Sequence, residues 1–149
     1  MRKERMDEYI KTFREKSPIT SFFGMELSFA DDGSAVVELP YNPNLDHGFG
    51  GIHGGVYATL MDTAGWYTAV AAQDEDCWVA TAELNIHFFE PAKRTSLRAV
   101  GRLLKTGKRQ NIVEMFLYDD NRCLVGHATG TFMILPHLTF LPGENAAAD

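Results

Sequence analysis

The segment Gly50-Gly51-Ile52-His53-Gly54-Gly55 runs directly into a long apolar stretch that carries one acid, Asp62. Glycines around a histidine at a helix start leave backbone N–H groups uncovered, where they can hold a developing negative charge. Asp62 stands among Tyr57, Leu60, Met61, Ala64, Trp66 and Tyr67. Burying a carboxylate is costly, so one kept in such company points to a chemical task. Partly apolar surroundings raise its proton affinity and make it a better base near neutral pH. Uncovered donors and a basic carboxylate together fit chemistry on an acyl carbonyl, whose tetrahedral intermediate carries an oxyanion. The plainer alternative is that Gly50, Gly51, Gly54 and Gly55 only permit close helix–sheet packing and that Asp62 is an exposed helix residue. The apolar neighbours of Asp62 weigh against it.

Other chemistries lack their residues. The spacings among His47, His53, His87, His127 and His137 suit no standard zinc site, and Cys77 and Cys123 do not complete one, so no metal is expected. No GxSxG, P-loop or dinucleotide fingerprint is present. The cysteines read as reduced core or near-core thiols.

The elements that must position these groups follow from periodicity. Residues 4–16 read as an amphipathic helix, with Met6, Tyr9, Ile10 and Phe13 on one face, ended by Ser17-Pro18. Phe22 to Phe29 reads as a strand, Asp31-Asp32-Gly33 as a hairpin turn, and Ala35, Val37 and Leu39 as the returning strand. Residues 41–52 read as a loop. His53 to about Gln73 is the principal helix, apolar around so much of its circumference that it should be buried. Asp74-Glu75-Asp76 reads as a solvated loop. Trp78 to Phe89 alternates Ala80, Ala82, Leu84, Ile86 and Phe88 against Thr81, Glu83, Asn85 and His87. Three more strands follow, at 97–105, 111–118 and 122–135. One antiparallel sheet wrapped around the long helix buries that helix on most sides, which is an α+β hotdog outline. The organisation expected is an N-terminal helix and linker over 1–20, one domain over 21–136, and a flexible tail over 137–149.

Composition is compatible with that outline. The 149 residues support one domain with a real core. A net charge of -6 and the lack of a large basic patch make duplex nucleic acid an improbable partner. No apolar run approaches the roughly 20 residues of a membrane span, and the charged start Met1-Arg2-Lys3-Glu4-Arg5 lacks a signal-peptide core, so a cytoplasmic location is expected.

Over roughly residues 20–135 the chain resembles the PaaI-like branch of the hotdog-fold acyl-CoA thioesterases. The resemblance is carried by His53-Gly54-Gly55, by Ala58-Thr59-Leu60-Met61-Asp62, by Ala80-Thr81-Ala82-Glu83-Leu84-Asn85 with Pro91-Ala92-Lys93, and by Lys105-Thr106-Gly107-Lys108. It implies that Gly54 supplies the N–H that polarises a thioester carbonyl and that Asp62 is nucleophile or general base. It also implies that Thr81 helps place the attacking water and that His53 lies beside the thioester. Coenzyme A would be part of the substrate, with no separate cofactor. Many members carry an asparagine six residues before the motif histidine; this chain has His47 there and Asn44 nearby. The resemblance further implies a homodimer, often paired into a tetramer.

Helix geometry leads to the dimer independently. Asp62 lies about 12 Å along the helix from Gly54, at roughly 1.5 Å per residue. Both cannot reach one carbonyl from the same helix, but two antiparallel helices related by a dyad could bring Gly54 of one to Asp62 of the other. Gly55, Tyr57 and Trp66 are candidate substrate contacts, and Lys105, Lys108 and Arg109, with Lys93 and Arg94 behind them, are candidates for coenzyme A phosphates. Phe22, Phe23, Phe49, Tyr57, Trp66 and Tyr67 could line a site for an aryl or medium-length acyl group. Glu83 and His87 read as interface or surface groups. Two competing functions are a hotdog hydratase or dehydratase acting on acyl-CoA or acyl-carrier protein, and a non-enzymatic acyl-CoA-binding protein. The former uses a histidine in a different setting, and the latter would need an effector domain for which residues 1–20 are too short.

Overall fold

A computed structural model describes residues 2–141. Helix α1 spans Arg2–Lys16 and α2 spans Pro18–Phe23. Strands β1 (Glu26–Phe29) and β2 (Ala35–Leu39) form a hairpin, and a short 3-10 turn at Pro43–Leu45 interrupts the loop leading to α3 (Gly54–Ala71). Four strands follow: β3 (Trp78–Phe88), β4 (Leu97–Thr106), β5 (Gln110–Asp119) and β6 (Leu124–Leu135). All six join one antiparallel sheet in the order β1-β2-β4-β5-β6-β3. β3 pairs with β6 alone, so it forms one edge of the sheet.

The sheet wraps α3, which packs on β2, β3, β4, β5 and β6. Leu60, Met61, Ala64, Ala69 and Val70 have no exposed surface. Burying each larger apolar side chain contributes about 1.5–3 kcal/mol. Threonines are tolerated in this helix because their hydroxyls bond to its own carbonyls. Thr59 donates to Gly55 O at 2.9 Å, Thr63 to Thr59 O at 2.6 Å, and Thr68 to Ala64 O at 2.8 Å. The Thr68 hydroxyl also accepts the Ala35 N–H at 2.9 Å, tying α3 to β2. α1 meets the chain just past the far end of α3: Arg5 donates to Gln73 O and to Asp74 O, the latter at 2.7 Å. A cation at a helix C-terminus also offsets the dipole.

Close approach of helix and sheet depends on Gly101 in β4. A Cβ there would stand 2.1 Å from Thr68 Oγ1 and 2.8 Å from the Ala64 carbonyl oxygen, so no side chain fits without moving α3.

Four expectations require correction. Phe22 and Phe23 are not in a strand. Pro18 opens the short helix α2, since its missing N–H costs nothing in a first turn, and Gly24 ends it at φ +86°. The alternation across β3 is broken by a bulge at Ala82: Thr81 opposes Phe132 and Glu83 opposes Thr131. Val79 and Thr81 therefore face α3 before the bulge, and Leu84 and Ile86 after it. The tail expected from residue 137 is packed as far as 141: the Trp78 N–H donates to Leu138 O at 2.9 Å, and the Phe140 ring lies 4.9 Å from Trp66. The rest of that tail, residues 142–149, lies outside the described residues. Finally, Cys77 is buried, but Cys123 is exposed at the β5–β6 turn; both are free thiols. No helix among the described residues is long and apolar enough to cross a membrane.

Replacing Gly101 with alanine should lower unfolding free energy by about 1–3 kcal/mol, the usual cost of overpacking. A urea midpoint unchanged from the parent would show that α3 does not depend on this approach.

Candidate active site

α3 begins at the histidine of the glycine segment. His53 is the N-cap, with extended backbone (φ -59°, ψ 137°), and its Nδ1 accepts the Gly55 N–H at 2.8 Å. That bond requires Nδ1 to be unprotonated, so the neutral ring carries its proton on Nε2. It also commits Gly55, whose N–H is no longer free for a substrate. The Val56 N–H bonds the His53 carbonyl at 2.9 Å. The Gly54 N–H has no acceptor among the described residues. It is thus an uncovered donor at the positive end of α3. A Cβ on Gly54 would lie 3.3 Å from Phe88 Cε1, so β3 lies close against the start of α3.

Two turns along the same helix, Asp62 is half-buried and meets β3. The Thr81 hydroxyl donates to Asp62 Oδ1 at 2.8 Å. The bulge at Ala82 makes this bond possible: with unbroken alternation, Thr81 would share a face with Glu83 and point away from α3. Burial raises the pKa of Asp62 above the ordinary carboxylate value, and the Thr81 hydrogen bond opposes the rise in part. Oδ1 is therefore held, and the group as a whole is inclined to accept a proton. The Thr81 oxygen keeps lone pairs with which to accept from a water molecule.

Beside Asp62 lies a cavity of about 210 Å³, walled in part by Phe13, Met25, Trp66, Trp78 and Phe140. Trp66 is fixed by donation from its indole N–H to Val79 O. A larger concavity, about 760 Å³, lies on the opposite face of the sheet around Arg98, Phe116 and Tyr118, and includes neither Asp62 nor the glycine segment.

The remaining candidates scatter. Tyr57 is buried, and its hydroxyl donates to Glu90 O at 2.8 Å, so it anchors the start of α3 to the chain just beyond β3. His47 is exposed in the loop; its Nδ1 accepts the Phe49 N–H at 3.1 Å, and its ring covers Gly51. Asn44 is exposed in the 3-10 turn, and the amide reaching inward is that of Asn42, which donates to Phe23 O at 3.2 Å. Phe22 and Phe49, expected as lining, are 74% and 95% exposed and point outward. Lys108 and Arg109 are exposed on the β4–β5 turn, and Lys105 is exposed at the end of β4. That turn sits at the far end of α3 from Gly54, where Asn111 donates to Ala69 O at 3.0 Å. Lys93 and Arg94 stand nearer Gly54, because Ala92 O accepts the Ile52 N–H at 2.9 Å. His127 is engaged by Glu114 at 2.9 Å on the outer face of the sheet.

Asp76, expected to be solvated, is instead a junction. Its Oδ1 accepts the Tyr9 hydroxyl, and its Oδ2 accepts the N–H groups of Phe140 and Leu141, each at 2.9 Å. The run Asp74-Glu75-Asp76 hid this role, since three adjacent acids read as one solvated patch.

Comparison with known proteins agrees with this architecture. Residues 49–125 match the thioesterase superfamily. A Saccharolobus solfataricus protein whose name places it provisionally among the esterases is 32% identical over 120 residues, covering 80% of this chain and 79% of its own. A Bacillus halodurans protein solved with CoA is 31% identical, with TM-score 0.76 and 87% of each chain covered. The Escherichia coli PaaI protein from the phenylacetic acid degradation operon superposes with TM-score 0.76 at 20% identity, covering 84% of this chain and 89% of its own. The fold is the hotdog fold.

The raised pKa has a thermodynamic consequence. A carboxylate whose folded pKa lies above its unfolded value destabilises the fold once ionised, so stability falls as pH rises through that window. Asp62→Asn should therefore be more stable than the parent at neutral pH. The difference should vanish on acidification below the ordinary aspartate value of about 3.9. A thermal-melting difference that is absent at neutral pH, or that grows towards acid, would contradict the burial of this charge.

Proposed function

The chain belongs to the thioesterase superfamily, and from that premise we propose that it hydrolyses an acyl-CoA thioester at a site shared between two copies of the chain. The observation that carries the proposal is the pairing of Asp62 with Thr81 about 12 Å along α3 from the uncovered Gly54 N–H. One helix cannot present both groups to a single carbonyl. An antiparallel partner helix can, and the unpaired edge of β3 leaves room for a second chain beside Asp62.

In the proposed reaction the thioester oxygen lies against the Gly54 N–H of one chain. A water held by Asp62 and Thr81 of the other attacks the carbonyl carbon. Its proton passes to Asp62 as the oxygen becomes an oxyanion, which Gly54 and the helix dipole stabilise. The C–S bond then breaks, the acyl group leaves as the acid, and the proton on Asp62 passes to the coenzyme A thiolate. The engagement of Oδ1 by Thr81 favours a general base over a nucleophile, because the same hydroxyl can accept from the water. His53 holds the helix tip, rather than the thioester, through its bond to Gly55. The dyad would bring the partner's Lys105, Lys108 and Arg109 towards Lys93 and Arg94, a basic surround suited to the phosphates of coenzyme A. The Bacillus halodurans relative solved with CoA supports that choice of leaving group.

The test is thiol release over a panel of acyl-CoAs with two variants. Asp62→Asn removes the base. Gly54→Pro removes the N–H with little insult to the helix, since proline is favoured at the first helical position and His53 already has the backbone it requires. Each should lower kcat by about 100-fold or more. Co-expressing the two inactive chains should restore about a quarter of parental activity, because half the dimers are mixed and each has one complete site. No recovery, with mixed dimers demonstrated by tag capture, would place the site within one chain.

A further inference from the structure

Half of the residues that line the cavity beside Asp62 come from outside the central helix and sheet. Phe13 comes from α1, Met25 from the turn after α2, and Phe140 from the segment after β6. Phe140 faces Trp66 at 4.9 Å, Trp78 at 5.7 Å and Tyr9 at 5.5 Å between ring centroids. Among the described residues, the segment after β6 belongs to no helix or strand that would hold it. Here it is tied by Asp76, whose Oδ2 takes the Phe140 and Leu141 N–H groups while Oδ1 takes the Tyr9 hydroxyl. One carboxylate thus joins α1, the α3–β3 connection and the C-terminal segment. Hydrogen bonds to an ionised acceptor are roughly twice as strong as neutral ones.

We propose that Phe140, tethered by Asp76, is the stop that limits the acyl group to one aromatic ring or a chain of similar bulk. This rests on the reading of Asp62 as the group that attacks acyl-CoA. A cavity of about 150 Å³ suffices for benzene. The 210 Å³ concavity beside Asp62 is of the size that a single ring fills. Phe140 is then a specificity-determining residue, and Asp76 is a positioning residue that acts only through it.

The experiment combines turnover with a binding signal independent of turnover. The chain's two tryptophans, Trp66 and Trp78, both line the cavity, so intrinsic fluorescence reports its filling. In the parent, benzoate and hexanoate should change the emission saturably and decanoate should not. Phe140→Ala, and Phe140→Leu as a milder replacement, should raise kcat/KM for decanoyl-CoA relative to hexanoyl-CoA by about 10-fold or more. Asp76→Ala should shift the preference in the same direction and Asp76→Glu should restore it, a pattern that mere loss of stability would not give. An unchanged chain-length profile in both Phe140 variants, with turnover intact, would overturn the stop. Parental emission that ignores benzoate would overturn the pocket itself. Emission that responds to benzoate while no acyl-CoA is hydrolysed would support the pocket and overturn the hydrolytic reading of Asp62.

Discussion

A carboxylate stands half-buried in the middle of a helix whose other neighbours are apolar, and a single threonine hydroxyl holds it. The Asp62–Thr81 hydrogen bond is the constraint around which the rest is arranged. It needs a helix buried enough to raise the proton affinity of the acid and a strand whose polar residue turns inward at the right place. The sheet wrapped around α3 supplies the burial. The bulge at Ala82 supplies the inward turn. Loss of either would leave Asp62 as an ordinary solvated acid or as an unsatisfied buried one.

The same helix carries an uncovered donor at its N-terminus. His53 caps the helix through Gly55, which satisfies one orphan N–H and leaves the Gly54 N–H open. Helix rise separates donor and acid too widely for one substrate carbonyl. In the proposed reaction that length is what calls for a partner copy. Placing the two halves of a site at opposite positions on one rigid element lets a two-fold axis generate two complete sites at once.

Much of this was legible in the residues. The apolar circumference of α3 specifies a buried helix, and helix periodicity places the glycine segment at its tip and the lone acid in its middle. The strands β4, β5 and β6 follow from alternation and turn residues. Three features were not legible. A bulge inserts one residue without changing composition, so Ala80, Ala82 and Leu84 looked like one apolar face when the parity reverses between them. Pro18 was a plain terminator of α1, although proline also begins helices. Asp76 was hidden among adjacent acids, because its partners come from residues more than sixty positions away in the chain. Local pattern reads the elements; only long-range pairing shows which acid is solvated and which is a junction.

The central claim is that Asp62 is a base whose proton affinity is raised by burial and moderated by Thr81. The most direct measurement is a ¹³C-carboxyl NMR titration of Asp62, set beside the pH dependence of thiol release. Its midpoint should lie above the ordinary aspartate value of about 3.9. The midpoint should coincide with the acid limb of the activity profile and move higher in Thr81→Val, which removes the bond favouring the ionised form. A midpoint at or below the ordinary value, or an acid limb that ignores it, would contradict the account.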